Sequence, residues 1–124
     1  MGRQARDECA FTSDRHSVDT VNVGLRRELH FEWDGAKAVS NERKHGVAFT
    51  LALTIFRDPR IQTMFDEEHS DTEERWIAQG VASNGVPLVV VHTWNEMDAT
   101  NVKVRIVSAR RANAAEKAAY EERR

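Results

Sequence analysis

The longest apolar run in the chain, Val86-Pro87-Leu88-Val89-Val90-Val91, is only six residues long and carries a proline. A membrane span needs roughly 20 apolar residues in a row, so none is expected. A run of this length suits one strand in the interior of a sheet, and its flanks say how that strand is placed. Residues 75–82 form a second strand-like run ahead of it, with Ser83-Asn84-Gly85 between. An Asn-Gly pair in that position predicts a hairpin with a type I′ turn. After residues 86–94 a polar connection, Asn95-Glu96-Met97-Asp98, leads into residues 102–110. There Val102, Val104 and Ile106 alternate, and the same period places Ser108 and Arg110 on their face. The expected product is a three-stranded antiparallel meander with the apolar run at its centre.

The segments around the meander have their own signals. Leu29, Phe31 and Trp33 alternate with polar residues over 28–33, as in a half-buried strand. Asp34 then stands where a helix N-cap belongs, and Gly46 follows the predicted last turn of a helix over 35–44. A second helix is predicted over 47–57, where Phe49, Ala52, Leu53 and Phe56 make a buried stripe. Asp58-Pro59 ends it. Residues 61–66 predict a modest strand with Ile61, Thr63 and Phe65 on one face, and the alanine-rich residues 112–122 predict a last helix. The expected fold class is α+β: a strand, two helices, a three- to four-stranded antiparallel sheet and a C-terminal helix. This domain occupies residues 28–124. Residues 1–27 show neither helical nor strand periodicity and read as a disordered extension, or as a start chosen too early. A short element docked on the domain is the alternative.

Composition narrows the setting. A length of 124 residues gives one core, and the balance of 31% charged to 40% hydrophobic residues is globular. Cys9 is the only cysteine, so no intramolecular disulfide or zinc knuckle can form. The polar start predicts no secretory leader, and the expected location is cytoplasmic. From Glu28 onward sixteen acidic residues outnumber thirteen basic ones, which argues against nucleic-acid binding through bulk charge. From Asn101 to the end the balance reverses, with seven basic residues against three acids. Acids gather instead between Asp66 and Glu74.

No nucleotide, zinc-protease or serine-hydrolase motif is present. His69 and Glu73 stand four apart with His30 remote, so a metal site would need long-range assembly. The candidates for chemistry lie at strand ends and helix caps. Arg75 opens a meander strand, with Glu73 two residues before it; it suits either a phosphate or an ion pair with Glu73 or Glu74. Arg110 is expected to continue an apolar face, where a partly desolvated guanidinium needs a carboxylate or a phosphate. Glu116 or Glu73 could supply the former. Lys44 and His45 either complement the first helix's dipole or present a cation and a titratable group beside the sheet. His92 reads as a hydrogen-bonded core residue. Tyr120, one turn after Glu116, either steadies the last helix or reaches across the site.

Taken in order, these residues resemble the BrnT family. Phe31-Glu32-Trp33-Asp34, Lys37, Asn41, and Lys44-His45-Gly46-Val47 with Phe49 carry the first part of the likeness. His69-Ser70 and Glu73-Glu74-Arg75-Trp76 carry the next, followed by Val89-Val90-Val91-His92-Thr93. Arg105-Ile106-Val107-Ser108-Ala109-Arg110, Ala112, Glu116 and Tyr120 complete it. The resemblance implies the toxin of a type II toxin–antitoxin module with a RelE-like microbial ribonuclease fold. It implies RNA cleavage that slows translation, restrained by a BrnA-type ribbon-helix-helix antitoxin through which the complex reaches operator DNA. No cofactor is implied.

Metal-free RNA cleavage by a ribose 2′-OH needs a base, cations on the phosphorane and an acid for the leaving oxygen. On the resemblance, Arg75 and Arg110 fill the cationic role, Glu73, His45 or Lys44 the base, and Tyr120 or a histidine the acid. The competing expectation is a non-catalytic partner-binding module that acts as corepressor in a DNA-binding complex. A metabolic enzyme is a third, without a cofactor motif to support it.

Overall fold

A computed structural model describes residues 20–23, 27–70 and 73–122. Strand β1 (Thr20–Val23) lies antiparallel to β2 (Arg27–Glu32). Helix α1 (Gly35–His45) follows, then α2 (Phe49–Ala52), which continues as a 3-10 turn over Leu53–Arg57. Next come β3 (Gln62–Phe65), a 3-10 turn at Glu67–His69, β4 (Arg75–Val81) and β5 (Pro87–Thr93). The two-residue β6 (Asn95–Glu96), the long β7 (Asn101–Arg111) and α3 (Ala114–Glu122) complete the chain. Among the described residues the strands form one seven-stranded sheet in the order β1-β2-β7-β5-β4-β3, with β6 also on β7.

The fold is α+β, and its sheet is larger than the expected three or four strands and mixed in direction. Strand β2 runs parallel to β7, with Phe31 beside Val104, because the helices carry the chain back across the sheet. Strand β1 is the short docked element held as the alternative to a disordered extension over these residues, whereas the two-residue β6 was not expected. The rest of the extension expected over 1–27 lies outside the described residues, apart from Arg27.

Helix α1 begins and ends as its sequence predicts. Asp34 accepts hydrogen bonds from the Ala36 and Lys37 N–H groups at 2.8 and 3.2 Å. Gly46 takes the left-handed φ of 71° and returns its N–H to the Glu42 carbonyl at 2.8 Å. The second helix differs from expectation. Past Ala52 it tightens to three residues per turn, so Ile55 is buried and Phe56 is only partly covered. The hairpin after β4 differs too: Gly85 N–H bonds to the Ala82 carbonyl, so Ser83 and Asn84 are the central residues. Gly85 itself carries the positive φ of 87°, as in a three-residue loop rather than a type I′ turn.

One irregularity decides which way the cations point. Val91 pairs with Ser108, but the next residue, His92, pairs with Ile106, leaving Val107 as an extra residue in β7. Such a bulge reverses the side-chain alternation. Val102, Val104 and Ile106 face the core on one side of it, and Ala109 on the other. Arg110 and Ser108 therefore project from the opposite face to Ile106, correcting the expectation that all share one face. The core is packed between the helix-covered side of the sheet and α1, α2 and the 3-10 turn. Leu29, Phe31, Phe49, Ile55, Leu88 and Val90 lie fully buried there.

A buried asparagine ties these layers together. The Asn41 amide nitrogen donates to the Val47 carbonyl at 3.0 Å and to the Ala109 carbonyl at 2.9 Å. Its oxygen accepts from the Ala109 N–H at 3.0 Å. Strand β2 stops pairing with β7 opposite Arg105, and the Asn41 side chain serves the peptide edge that β2 leaves open.

Candidate functional site

The face of the sheet opposite the core carries the residues that alternation and the bulge turn outward. Arg75 on β4 stands beside Thr93 on β5. The Thr93 hydroxyl accepts the Arg105 backbone N–H at 3.0 Å, which links β5 to β7. Arg75 and Arg105 thus flank one buried threonine across three strands. Glu73, just ahead of β4, meets the Arg105 guanidinium with both carboxylate oxygens, in a fork-to-fork pair that is partly exposed. The Arg105 hydrogen bonds, then the charges of Arg105, Arg75 and Lys37, outweigh burial and hold the Glu73 carboxyl below its usual range. The Nε of Arg75 is buried and finds no hydrogen-bond partner among the described residues.

Lys37 connects this cluster to a second one. It lines a shallow cleft of about 190 Å³ with Ser40, Lys44, His45, Val107 and Ser108. Lys44 and His45 are both exposed in the last turn of α1, where their position also complements the helix dipole. Helix α1 is held against β7 by Asn41, so its basic side stands over the bulge.

Arg110 is engaged elsewhere. Its guanidinium grips Glu116 through two bonds of 2.8 and 2.7 Å. Glu116 in turn closes a capping box with Asn113: each side chain accepts the other's backbone N–H at 2.8 Å. The Arg110 hydrogen bonds pull the Glu116 carboxyl down to about 2, against the effect of burial. Tyr120 is separate again. It is buried, and its hydroxyl donates to the Asp58 carboxylate, which also receives the Val81 and Arg60 N–H groups. Burial pushes the Asp58 carboxyl up, but the hydrogen bonds from Tyr120, Val81 and Arg60 together bring it below its ordinary value.

The expected residues thus fall into three groups. Glu73 and Arg75 come together, Lys44 and His45 border them through Lys37, and Arg110 and Tyr120 serve to fasten α3. Arg105 and Lys37 were missing from the expected site, although both stand in the stretches that carry the family resemblance. An arginine on the polar side of a strand gives no periodic signal of its own. Among the described residues, no three of His, Cys, Asp and Glu gather as a metal would require. No helix there is long and apolar enough to cross a membrane.

Fold and open face together define a class: a small α+β domain with two arginines and a lysine gathered about one carboxylate, charges that suit an anionic group. A family model described as "Ribonuclease toxin, BrnT, of type II toxin-antitoxin system" matches residues 33–116, and the chain belongs to that family. The matched span holds Lys37, Lys44, His45, Glu73, Arg75, Arg105, Arg110 and Glu116, and ends before Tyr120. Membership implies an antitoxin partner. No curated protein matches the chain.

Proposed function

We propose that this chain is the endoribonuclease toxin of a type II module and cleaves RNA on the open sheet face without a metal. The observation that carries the reading is the Glu73–Arg105 pair, with Arg75 and Lys37 acting on the same carboxylate. Glu73 takes the proton from a ribose 2′-OH, whose oxygen attacks the adjacent phosphorus. The bond to the 5′-oxygen breaks, leaving a 2′,3′-cyclic phosphate and a free 5′-hydroxyl. Arg75 and Arg105 hold the non-bridging oxygens as charge builds on the phosphorane. His45 on the cleft wall gives its proton to the leaving oxygen, and Lys44 and Lys37 steer the neighbouring phosphates.

The pairing of Glu73 with Arg105 suits this chemistry. A carboxylate held below its ordinary range is ionised and less basic than a free one. An incoming phosphate competes for the Arg105 fork, loosens the pair and raises the basicity of Glu73 as the substrate arrives. Arg110 acts through Glu116 by setting α3 at the end of the face. Tyr120, with its hydroxyl on Asp58, has the same anchoring role rather than that of an acid.

The wider reading follows the family. The strand, helix pair, meander and last helix correspond to a RelE-like ribonuclease toxin acting in the cytoplasm to inhibit translation. A BrnA-like ribbon-helix-helix antitoxin restrains it and brings the complex to operator DNA. The test is incubation of the chain with long single-stranded RNA in EDTA. Cleavage with cyclic-phosphate ends, lost in Glu73→Gln and Arg75→Ala, is expected. Intact RNA with the wild type would sink the free-ribonuclease mechanism and leave ribosome-dependent cleavage or the corepressor module.

A further inference from the structure

A second concavity lies on the helix side of the sheet, away from Glu73. Phe56, Ile61, Thr63, Trp76, His92 and Trp94 line a pocket of about 380 Å³ that is mostly apolar. It opens beside β3, an edge strand that pairs only with β4 among the described residues. On that strand Met64 and Phe65 are 63% and 40% exposed. An edge that bears exposed apolar side chains is a template for another chain.

The pocket's polar features say what fits. His92 is buried, and its Nδ1 lies 3.0 Å from the Thr93 carbonyl. A carbonyl only accepts, so Nδ1 carries the proton and Nε2 of the neutral ring is left as an acceptor. That Nε2 is buried with no partner among the described residues. The rim is acidic. The Trp76 indole donates to Glu74 at 2.7 Å and the Trp94 indole to Glu96 at 3.4 Å, while Arg27 neutralises Glu96. Phe65 packs on the Trp76 ring at 5.2 Å and leads directly into Asp66-Glu67-Glu68. His69 pairs with Asp66, but Glu67, Glu68 and Glu74 are exposed. A polyanion would be repelled here, and a basic polypeptide attracted.

We propose that the pocket and the outer edge of β3 dock the antitoxin through an extended, Lys- or Arg-bearing segment. That segment inserts one Trp or Tyr, whose N–H or O–H reaches His92 Nε2. The inference rests on the toxin reading and names the surface on which restraint is applied.

The probe is the peptide acetyl-Lys-Lys-Ile-Trp-Ile-Lys-Lys-amide, titrated into the full chain while the His92 ring nitrogens and the Trp76 and Trp94 indole N–H signals are followed by NMR. Saturable shifts of these signals are expected, with binding about tenfold weaker when 1-methyltryptophan replaces the tryptophan and deletes its donor. Thr63→Trp, an exposed edge position that fills the pocket mouth, should abolish the shifts. Shifts confined to other residues, equal binding by the methylated peptide, or stronger shifts with an eight-nucleotide uridine RNA would each overturn the proposal. The RNA-cleavage assay is independent. Cleavage without peptide binding removes only the docking site, and peptide binding by a chain that cleaves no RNA removes only the ribonuclease.

Discussion

Replacing Asn41 by alanine tests whether a single side chain completes the edge of β7. The substitution deletes three hydrogen bonds and leaves the Ala109 N–H, the Ala109 carbonyl and the Val47 carbonyl without those partners. Asn41 is only 7% exposed, so water does not simply replace it. A buried polar group left unpaired costs about 1–3 kcal/mol, and relaxation moderates the sum, so a loss of about 3–5 kcal/mol is expected. That is a large part of the roughly 5–15 kcal/mol by which a domain is stable. Urea unfolding of both proteins, followed by tryptophan fluorescence, should show a lower midpoint at unchanged slope. Asn41→Leu refills the volume but not the hydrogen bonds, and should fall almost as far. A loss below about 1 kcal/mol in either variant, or a leucine variant as stable as wild type, would refute the reasoning.

Four further outcomes follow from the same geometry. Burial holds the His92 ring at about 4, so its neutral form contributes stability in full above the unfolded value near 6.5. That stability is lost as pH falls from 6.5 toward 4, by roughly 1.4 kcal/mol per pH unit at most. His92→Phe should flatten the slope in denaturation series across that window. Glu116, held at about 2, contributes stability above pH 4.5 that fades between 4.5 and 2, and Arg110→Met should lessen this acid loss in circular-dichroism titrations. Tyr120→Phe removes a hydrogen bond to a carboxylate and should cost about 1.5–3 kcal/mol in urea unfolding while leaving RNA cleavage in place. Arg105→Ala should cut cleavage at least as much as Arg75→Ala, in single-turnover assays with one RNA. Equal activity to wild type would remove Arg105 from the reacting centre.

The local signals of the sequence were legible because they depend on nearest neighbours. Asp34 and Gly46 bracket α1 through bonds to residues two to four positions away. The apolar run of β5 could only be an inner strand. What depended on distant partners was not legible. The parallel docking of β2 on β7 is fixed by long-range pairing, and the 3-10 tightening after Ala52 by packing against the sheet. Arg110 was misplaced because strict alternation was carried through Val107. A sign of the break was present in the spacing itself, since the buried positions run Val102, Val104, Ile106 and then Ala109. For the candidate site, Glu73, Arg75, Lys44 and His45 were visible as residue types at element ends. Their relation to Arg105 and Lys37 needs the sheet, because the Glu73–Arg105 pair joins residues 32 positions apart.

The extra residue in β7 means that this strand is written in two reading frames. Before Val107 the even-numbered Val102, Val104 and Ile106 belong to the interior, and after it the odd-numbered Ala109 does. Any recombination of β7 with a related strand must therefore be spliced with Val107 as a fixed landmark. A library that randomises alternate positions along the whole strand would send charge inward on one side of that landmark. Deleting Val107 itself would restore plain alternation with Ser108 and Arg110 still outward, whereas a one-residue deletion anywhere else in the strand would put one of its two halves out of frame. The length of β7 is thus as constrained as its composition, and insertions in this family member should be tolerated in the 97–100 turn and not along the strand it leads into.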